Sequence, residues 1–127
     1  MAEAQKILVV EDNDFVRMQI VHFLSEDGYE TIEATDGQVA LDLVLEDKAQ
    51  FDMAVLDIRM EPLDGFEFLR ALRGQNIDLP VVLVTGDTTP DILNEAGRWG
   101  VAAVLMKPVQ RERLIKVVER TLLKSKS

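Results

Sequence analysis

The chain has 127 residues, the size of one domain with a single core, and its 47% hydrophobic and 29% charged residues are the balance of a soluble globular protein. A net charge of −9 weighs against direct nucleic-acid binding, which needs clustered Lys and Arg, and the lack of cysteine leaves no disulfide framework. No apolar run nears the roughly 20 residues that span a bilayer, and the opening MAEAQK lacks the parts of a signal peptide, so a cytoplasmic protein that enters no membrane is expected.

Lys6 to Val10, KILVV, reads as a first strand that runs directly into Glu11, Asp12, Asn13 and Asp14. Val16, Ile20, Phe23 and Leu24 then recur at helical spacing, and Gly28 stands where a left-handed helix end is expected. Tyr29 to Ala34 alternates as an outer strand does. Asp36 and Gly37 turn into a second helix with Val39, Ala40, Leu43 and Val44 on one face and a polar end at Asp47 to Gln50. The third strand, Met53 to Leu56, delivers Asp57 and breaks at once into a loop holding Glu61, Pro62, Asp64 and Gly65.

Asp64, followed three positions later by Glu67, forms a capping box for a third helix whose Phe66, Leu69 and Leu72 are expected to face inward, with Gly74 closing it. Leu79 to Thr85 is the most hydrophobic run, as a central strand buried on both faces requires. After the Gly86 to Thr89 loop, the Thr89 hydroxyl caps and Pro90 opens a fourth helix holding Ile92, Leu93, Ala96 and Trp99. Gly97 lies inside it and loosens it by about 1 kcal/mol relative to alanine. Val101 to Met106 is the fifth strand, ending at Lys107 and Pro108. A fifth helix runs from about Gln110 through Leu114, Val117, Val118 and Leu122, with residues 121–127 expected to fray or be disordered.

Five strands alternating with five helices, joined by short connections and right-handed crossovers, imply one α/β domain over residues 1–127. The expected architecture is a three-layer, doubly wound (βα)5 fold with a five-stranded parallel sheet in the order 2-1-3-4-5. In such a sheet ligands bind outside the carboxyl ends of the strands. That edge carries Glu11 and Asp12 after strand one, Asp57 after strand three, Thr85 after strand four and Lys107 after strand five. Three carboxylates in a small volume repel one another unless a cation sits among them, and oxygen ligands with room for water suit Mg²⁺. A lysine ammonium and a threonine hydroxyl add donors for a phosphoryl group, so the set reads as a site for phosphoryl transfer to a carboxylate.

Over nearly its whole length the chain resembles the receiver domain of two-component response regulators, a chemotaxis-regulator-like, flavodoxin-like fold. The residues that carry the resemblance are Glu11-Asp12, Asp57 with Asp64-Gly65, Thr85-Gly86 and Lys107-Pro108. The resemblance implies that Asp57 accepts phosphate from a histidine kinase or histidine phosphotransfer protein. Asp12, Asp57 and the backbone carbonyl of Arg59 would bind Mg²⁺, with Glu11 acting mainly through a metal-bound water. Lys107 would pair with the phosphoryl oxygens and Thr85 would swing in to bond them. The changed surface around helix four, strand five and helix five would then engage a downstream protein target, a linked output domain or a second copy as a homodimer. Such a protein is a self-phosphorylating and self-dephosphorylating switch rather than a turnover enzyme.

Two departures stand out. Receivers usually carry an aromatic residue three positions before the lysine, where this chain has Val104, so helix four, with Gly97 in it, is expected to supply the mobility instead. The loop reads Met60-Glu61-Pro62, with the proline one place late, and Arg59 and Asp87 lie two residues past Asp57 and Thr85, placed for an ion pair across the mouth of the site. Trp99 reads as packing before an interface anchor, and His22 as an exposed helix residue rather than a phosphodonor. Three other readings compete. They are a phosphate-independent interaction domain of the same fold, a Mg²⁺-dependent phosphatase, and a flavin-binding module. The second lacks an acid at Arg59 and a cap segment; the third is repelled by the acids after strand one.

Overall fold

Five aliphatic runs, each followed by an amphipathic segment, become five parallel strands in the computed structural model, which describes residues 4–125. The elements alternate strictly along the chain. They are β1 (Lys6–Val10), α1 (Asp14–Glu26), β2 (Glu30–Ala34), α2 (Gly37–Glu46), β3 (Met53–Asp57), α3 (Gly65–Gly74), β4 (Val81–Thr85), α4 (Pro90–Arg98), β5 (Ala103–Met106) and α5 (Arg111–Ser125). The sheet order is β2-β1-β3-β4-β5 with every pairing parallel, as expected. The loops after β1 and β3 therefore leave in opposite directions, and the crevice opens between them. Among the described residues no helix is long and apolar enough to cross a membrane.

Alternate strand residues feed two cores. Leu8, Val10, Leu56 and Leu83 pack with Ala40, Val44, Phe68 and Leu72 on the face covered by α2, α3 and α4. Ile7, Val9, Val55 and Val84 pack with Ile20, Leu24, Leu114 and Val118 on the face covered by α1 and α5. Both faces are covered, which is why β3 and β4 are apolar without alternation and every one of their residues is buried.

Local chemistry sets the element ends. Thr89 accepts from the Ile92 N–H at 3.3 Å with Pro90 in the first helical turn, and Asp64 and Glu67 form the reciprocal capping box. Asn13 caps α1 by accepting from the Val16 N–H.

Several expectations need correction. Phe66 packs half-buried against the core, but Phe68 is the phenylalanine fully buried beneath α3, because the helix turns its 65, 68, 69, 72 face to the sheet. Val39 and Leu93 are exposed rather than inward. Strands β4 and β5 begin two residues later than their apolar runs, and α4 ends at Arg98 with Trp99 as its C-cap. The end expected to fray from residue 121 is helical through Ser125, because Thr121 and Leu122 are buried against the sheet; Lys126 and Ser127 lie outside the described residues.

Two glycines have opposite surroundings. A Cβ on Gly65 would lie 2.7 Å from the Asp57 carbonyl oxygen, and the Gly65 N–H donates to Ile58 O at 2.8 Å, so only glycine lets α3 close onto the end of β3. A Cβ on Gly97 would meet nothing within 4 Å. Gly65→Ala should therefore destabilise the protein by about 1–3 kcal/mol, and Gly97→Ala should stabilise it by about 0.5–1 kcal/mol, both read from urea unfolding midpoints. A lower midpoint for Gly97→Ala would contradict this packing.

Candidate functional site

At the end of β1 the backbone keeps the sheet pattern for one more residue, the Glu11 N–H donating to Ala34 O at 3.1 Å, and this carries the Glu11 side chain into the interior at 1% exposure. Asp12 follows on the surface, and β3 ends with Asp57, which is 6% exposed. The three carboxylates offer oxygen atoms that all lie within 4.8 Å of one another. Lys107, held at the end of β5 by its N–H bond to Thr85 O at 2.8 Å, places its Nζ 2.7 Å from Glu11 Oε1 and 3.4 Å from Asp57 Oδ1. Glu11 Oε2 is buried without a hydrogen-bond partner.

This cluster is short of positive charge, because one ammonium serves three acids. Burial first, and then the neighbouring Asp57, push the Glu11 carboxyl up to about 7, with Lys107 opposing. Burial alone would pull Lys107 down, but its bonds to Glu11 and Asp57 outweigh that and hold its pKa above the ordinary value. Lys107 is therefore fixed as a cation. An orphaned buried carboxylate oxygen costs roughly 1–3 kcal/mol, and more when charged, unless something binds it. An all-oxygen donor set with one such orphan suits a hard divalent cation, whose charge equals the deficit.

A cleft of about 650 Å³ opens above the acids, lined by Asp12, Asp57, Arg59, Thr85, Asp87 and Lys107 among others. Thr85 is 1% exposed, and its hydroxyl donates to Asp87 O at 3.0 Å while accepting the Asp87 N–H at 3.1 Å. It is thus engaged with its own loop and hydrogen-bonded to neither the acids nor Lys107. Arg59 reaches across the mouth to Asp87, Nη2 to Oδ2 at 3.4 Å, as its position in the sequence suggested. Both Lys107–Pro108 and Glu61–Pro62 are cis.

The two singletons lie elsewhere. His22 is exposed on α1 and faces Glu26 at 3.5 Å. Trp99 packs on the α2–α4 core and donates from Nε1 to Glu95 at 2.8 Å, in keeping with packing. One residue escaped the sequence reading altogether. Arg17, on the first turn of α1, binds the carbonyl of Glu11, and the available signal was an arginine at helical spacing behind the acidic loop.

Comparison with known proteins finds relatives over nearly the whole chain. The model of the response regulator receiver domain matches residues 7–119. The transcriptional regulatory protein PdtaR of Mycobacterium tuberculosis is 32% identical over 93% of this chain and 57% of its own length. Sporulation initiation phosphotransferase F of Bacillus subtilis is 28% identical over 93% of this chain and 94% of its own. Among solved structures, the Vibrio cholerae chemotaxis protein CheY4 has a TM-score of 0.85 and 34% identity, covering 94% of this chain and 99% of that one. The chain spans 22% and 17% of the length of plant response regulators that it also matches.

The raised Glu11 value fixes a sign for the effect of pH. A folded-state pKa of about 7 against an ordinary 4.5 means the folded, metal-free protein holds a proton that the unfolded chain releases. That contribution is fully present below pH 4.5 and is lost as pH rises through about 7. In buffer free of divalent ions, wild type should lose up to about 3 kcal/mol relative to Glu11→Gln between pH 5 and pH 8, measured by urea unfolding. Parallel pH profiles for the two proteins would contradict the assignment.

Proposed function

The chain belongs to the response regulator receiver domain family, whose members are the signalling switches of two-component systems, and from that premise we propose that Asp57 accepts a phosphoryl group from a phosphohistidine. The donor is a histidine kinase or a histidine phosphotransfer protein, and the transfer depends on Mg²⁺. The observation that carries this reading is the Glu11, Asp12 and Asp57 cluster with a charged Lys107 set into it.

In the proposed reaction an Asp57 carboxylate oxygen attacks phosphorus, the P–N bond breaks, and the imidazole leaves with the bonding electron pair and takes up a proton. Lys107 neutralises phosphoryl oxygens, and the Thr85 hydroxyl leaves Asp87 to donate to one of them. Asp12, Asp57 and the Arg59 carbonyl would hold Mg²⁺, with Glu11 contributing from the same acidic cluster. When bound, the ion supplies the positive charge that the acids and the phosphoryl group lack. The phosphoryl group stays on the protein until hydrolysis, so the product is a signal rather than a released metabolite.

The departure of Thr85 from Asp87 shifts the loop that leads into α4. That helix buries only Ala96 fully, and Leu93 and Met106 are exposed on α4 and β5, so this face is both thinly anchored and ready for a partner. With Val104 half-buried in β5 and no ring there to rotate, movement of α4 carries the output. The receivers of this reading act in the cytoplasm as a single unit over residues 1–127. They engage a protein target, a linked output domain or a second copy through α4, β5 and α5, and the −9 charge leaves DNA contacts to other domains.

Incubation with a small acyl-phosphate donor should add one phosphoryl group by intact mass, only with Mg²⁺ and not in Asp57→Ala; incorporation that ignores either condition would contradict the mechanism. The Arg59–Asp87 pair narrows the approach of a hydrolytic water. An exposed pair is worth at most about 1 kcal/mol, so Arg59→Ala or Asp87→Ala should speed loss of the aspartyl phosphate by up to about fivefold. Unchanged lifetimes would remove the gate.

A further inference from the structure

Among the described residues, Arg17 is a strongly held cation near the acidic loop that the proposed reaction does not use. Its side chain is 12% exposed and makes three bonds in three directions. Nη1 donates to the Glu11 carbonyl oxygen at 2.9 Å, Nε to Glu33 Oε1 at 3.0 Å, and Nη2 to Asp14 Oδ1 at 2.7 Å. The guanidinium thus joins the loop carrying the acid pair, the first turn of α1, and β2. Glu11 already gives its N–H to Ala34 O, so both backbone polar groups of Glu11 are fixed, one by the sheet and the other by Arg17. Meeting a carbonyl and two carboxylates at once calls for a planar fork of N–H donors, which a lysine ammonium on the same helix turn does not supply.

We propose that Arg17 is a positioning residue for the cation site: it fixes the Glu11 carbonyl, and through it the placement of the Glu11 and Asp12 carboxylates, while keeping Asp14 and Glu33 committed to itself. The inference rests on the reading of Glu11, Asp12 and Asp57 as a Mg²⁺ site. Groups that orient metal ligands from the outer shell typically carry about 10- to 100-fold of metal affinity.

Charge and geometry predict opposite signs. A cation beside a cation site repels the metal, so on Coulombic grounds alone removing Arg17 tightens Mg²⁺ binding and replacing it with lysine changes little. If Arg17 acts by positioning, both changes weaken binding, and lysine fails although it keeps the charge.

The test titrates MgCl₂ into the full chain of wild type, Arg17→Lys, Arg17→Gln and Asp12→Asn, following amide chemical shifts so that only folded molecules are read. Metal-free thermal melts are recorded in parallel. Wild type should bind, Asp12→Asn should lose binding, and both Arg17 variants should bind at least about tenfold more weakly while remaining folded. Arg17→Lys within twofold of wild type, or Arg17→Gln tighter than wild type, overturns the positioning role while leaving the metal reading intact. Loss of the folded spectrum in both variants also overturns it, since Arg17 would then hold the fold and not the site. A wild type that does not bind, or an Asp12→Asn that binds equally well, overturns the metal reading and this inference with it.

Discussion

The ammonium of Lys107 stands between Glu11 and Asp57, 2.7 Å from one and 3.4 Å from the other, and the carboxyl edge of the sheet is built to keep it there. Each partner comes from the end of a different strand, so the cluster forms only when β1, β3 and β5 are in register and β4 lies between the last two. Buried charge of this kind is a poor way to stabilise a fold, since the desolvation penalty rivals the attraction. Here the balance is worse still, with three acids sharing one cation and Glu11 Oε2 left without a partner. Such an arrangement suits a divalent cation, whose charge offsets the deficit of three carboxylates and one ammonium.

The same charge deficit ties chemistry to shape. Thr85 is buried at the edge of the cluster, yet its hydroxyl serves Asp87 in the next loop. In the proposed switch, a new anion beside Lys107 would offer that hydroxyl a stronger, charge-assisted bond, and donating to it would release the loop that leads into α4. The helix beyond has one buried residue, in contrast with four in α3 and five in α5. Small changes at Thr85 therefore meet their least resistance in α4. Val104 fits this account, because a stiff, half-buried valine in β5 leaves the helix, rather than a rotating ring, to carry the change.

Much of this was legible in the sequence, and for definite reasons. The strand order and the gathering of Glu11, Asp57, Thr85 and Lys107 at one edge follow from aliphatic runs that end in those residues, because alternating β and α units place every strand end at one edge. The capping box at Asp64 and Glu67 and the Thr89-Pro90 start of α4 are local motifs and needed no tertiary context. What escaped depends on the third dimension. The choice between Phe66 and Phe68 turns on the rotation of α3 over the sheet, which two phenylalanines two residues apart leave open. The helical end at residues 121–125 is held by burial of Thr121 and Leu122 against a sheet that local composition does not reveal. Two of the three bonds of Arg17 reach beyond its own helix, to the loop after β1 and to β2, and the engagement of Thr85 with Asp87 is a side-chain orientation that no spacing encodes.

The central claim is that the buried acid cluster exists to bind a divalent cation, with Glu11 surrendering its proton when the metal arrives. Calorimetric titration of Mg²⁺ at pH 7 in two buffers of different ionisation enthalpy counts the protons released. With burial and Asp57 holding the Glu11 carboxyl well above the usual carboxylate range, binding should release protons in wild type and markedly fewer in Glu11→Gln. Absence of binding, or proton release that is the same in both proteins, would contradict it.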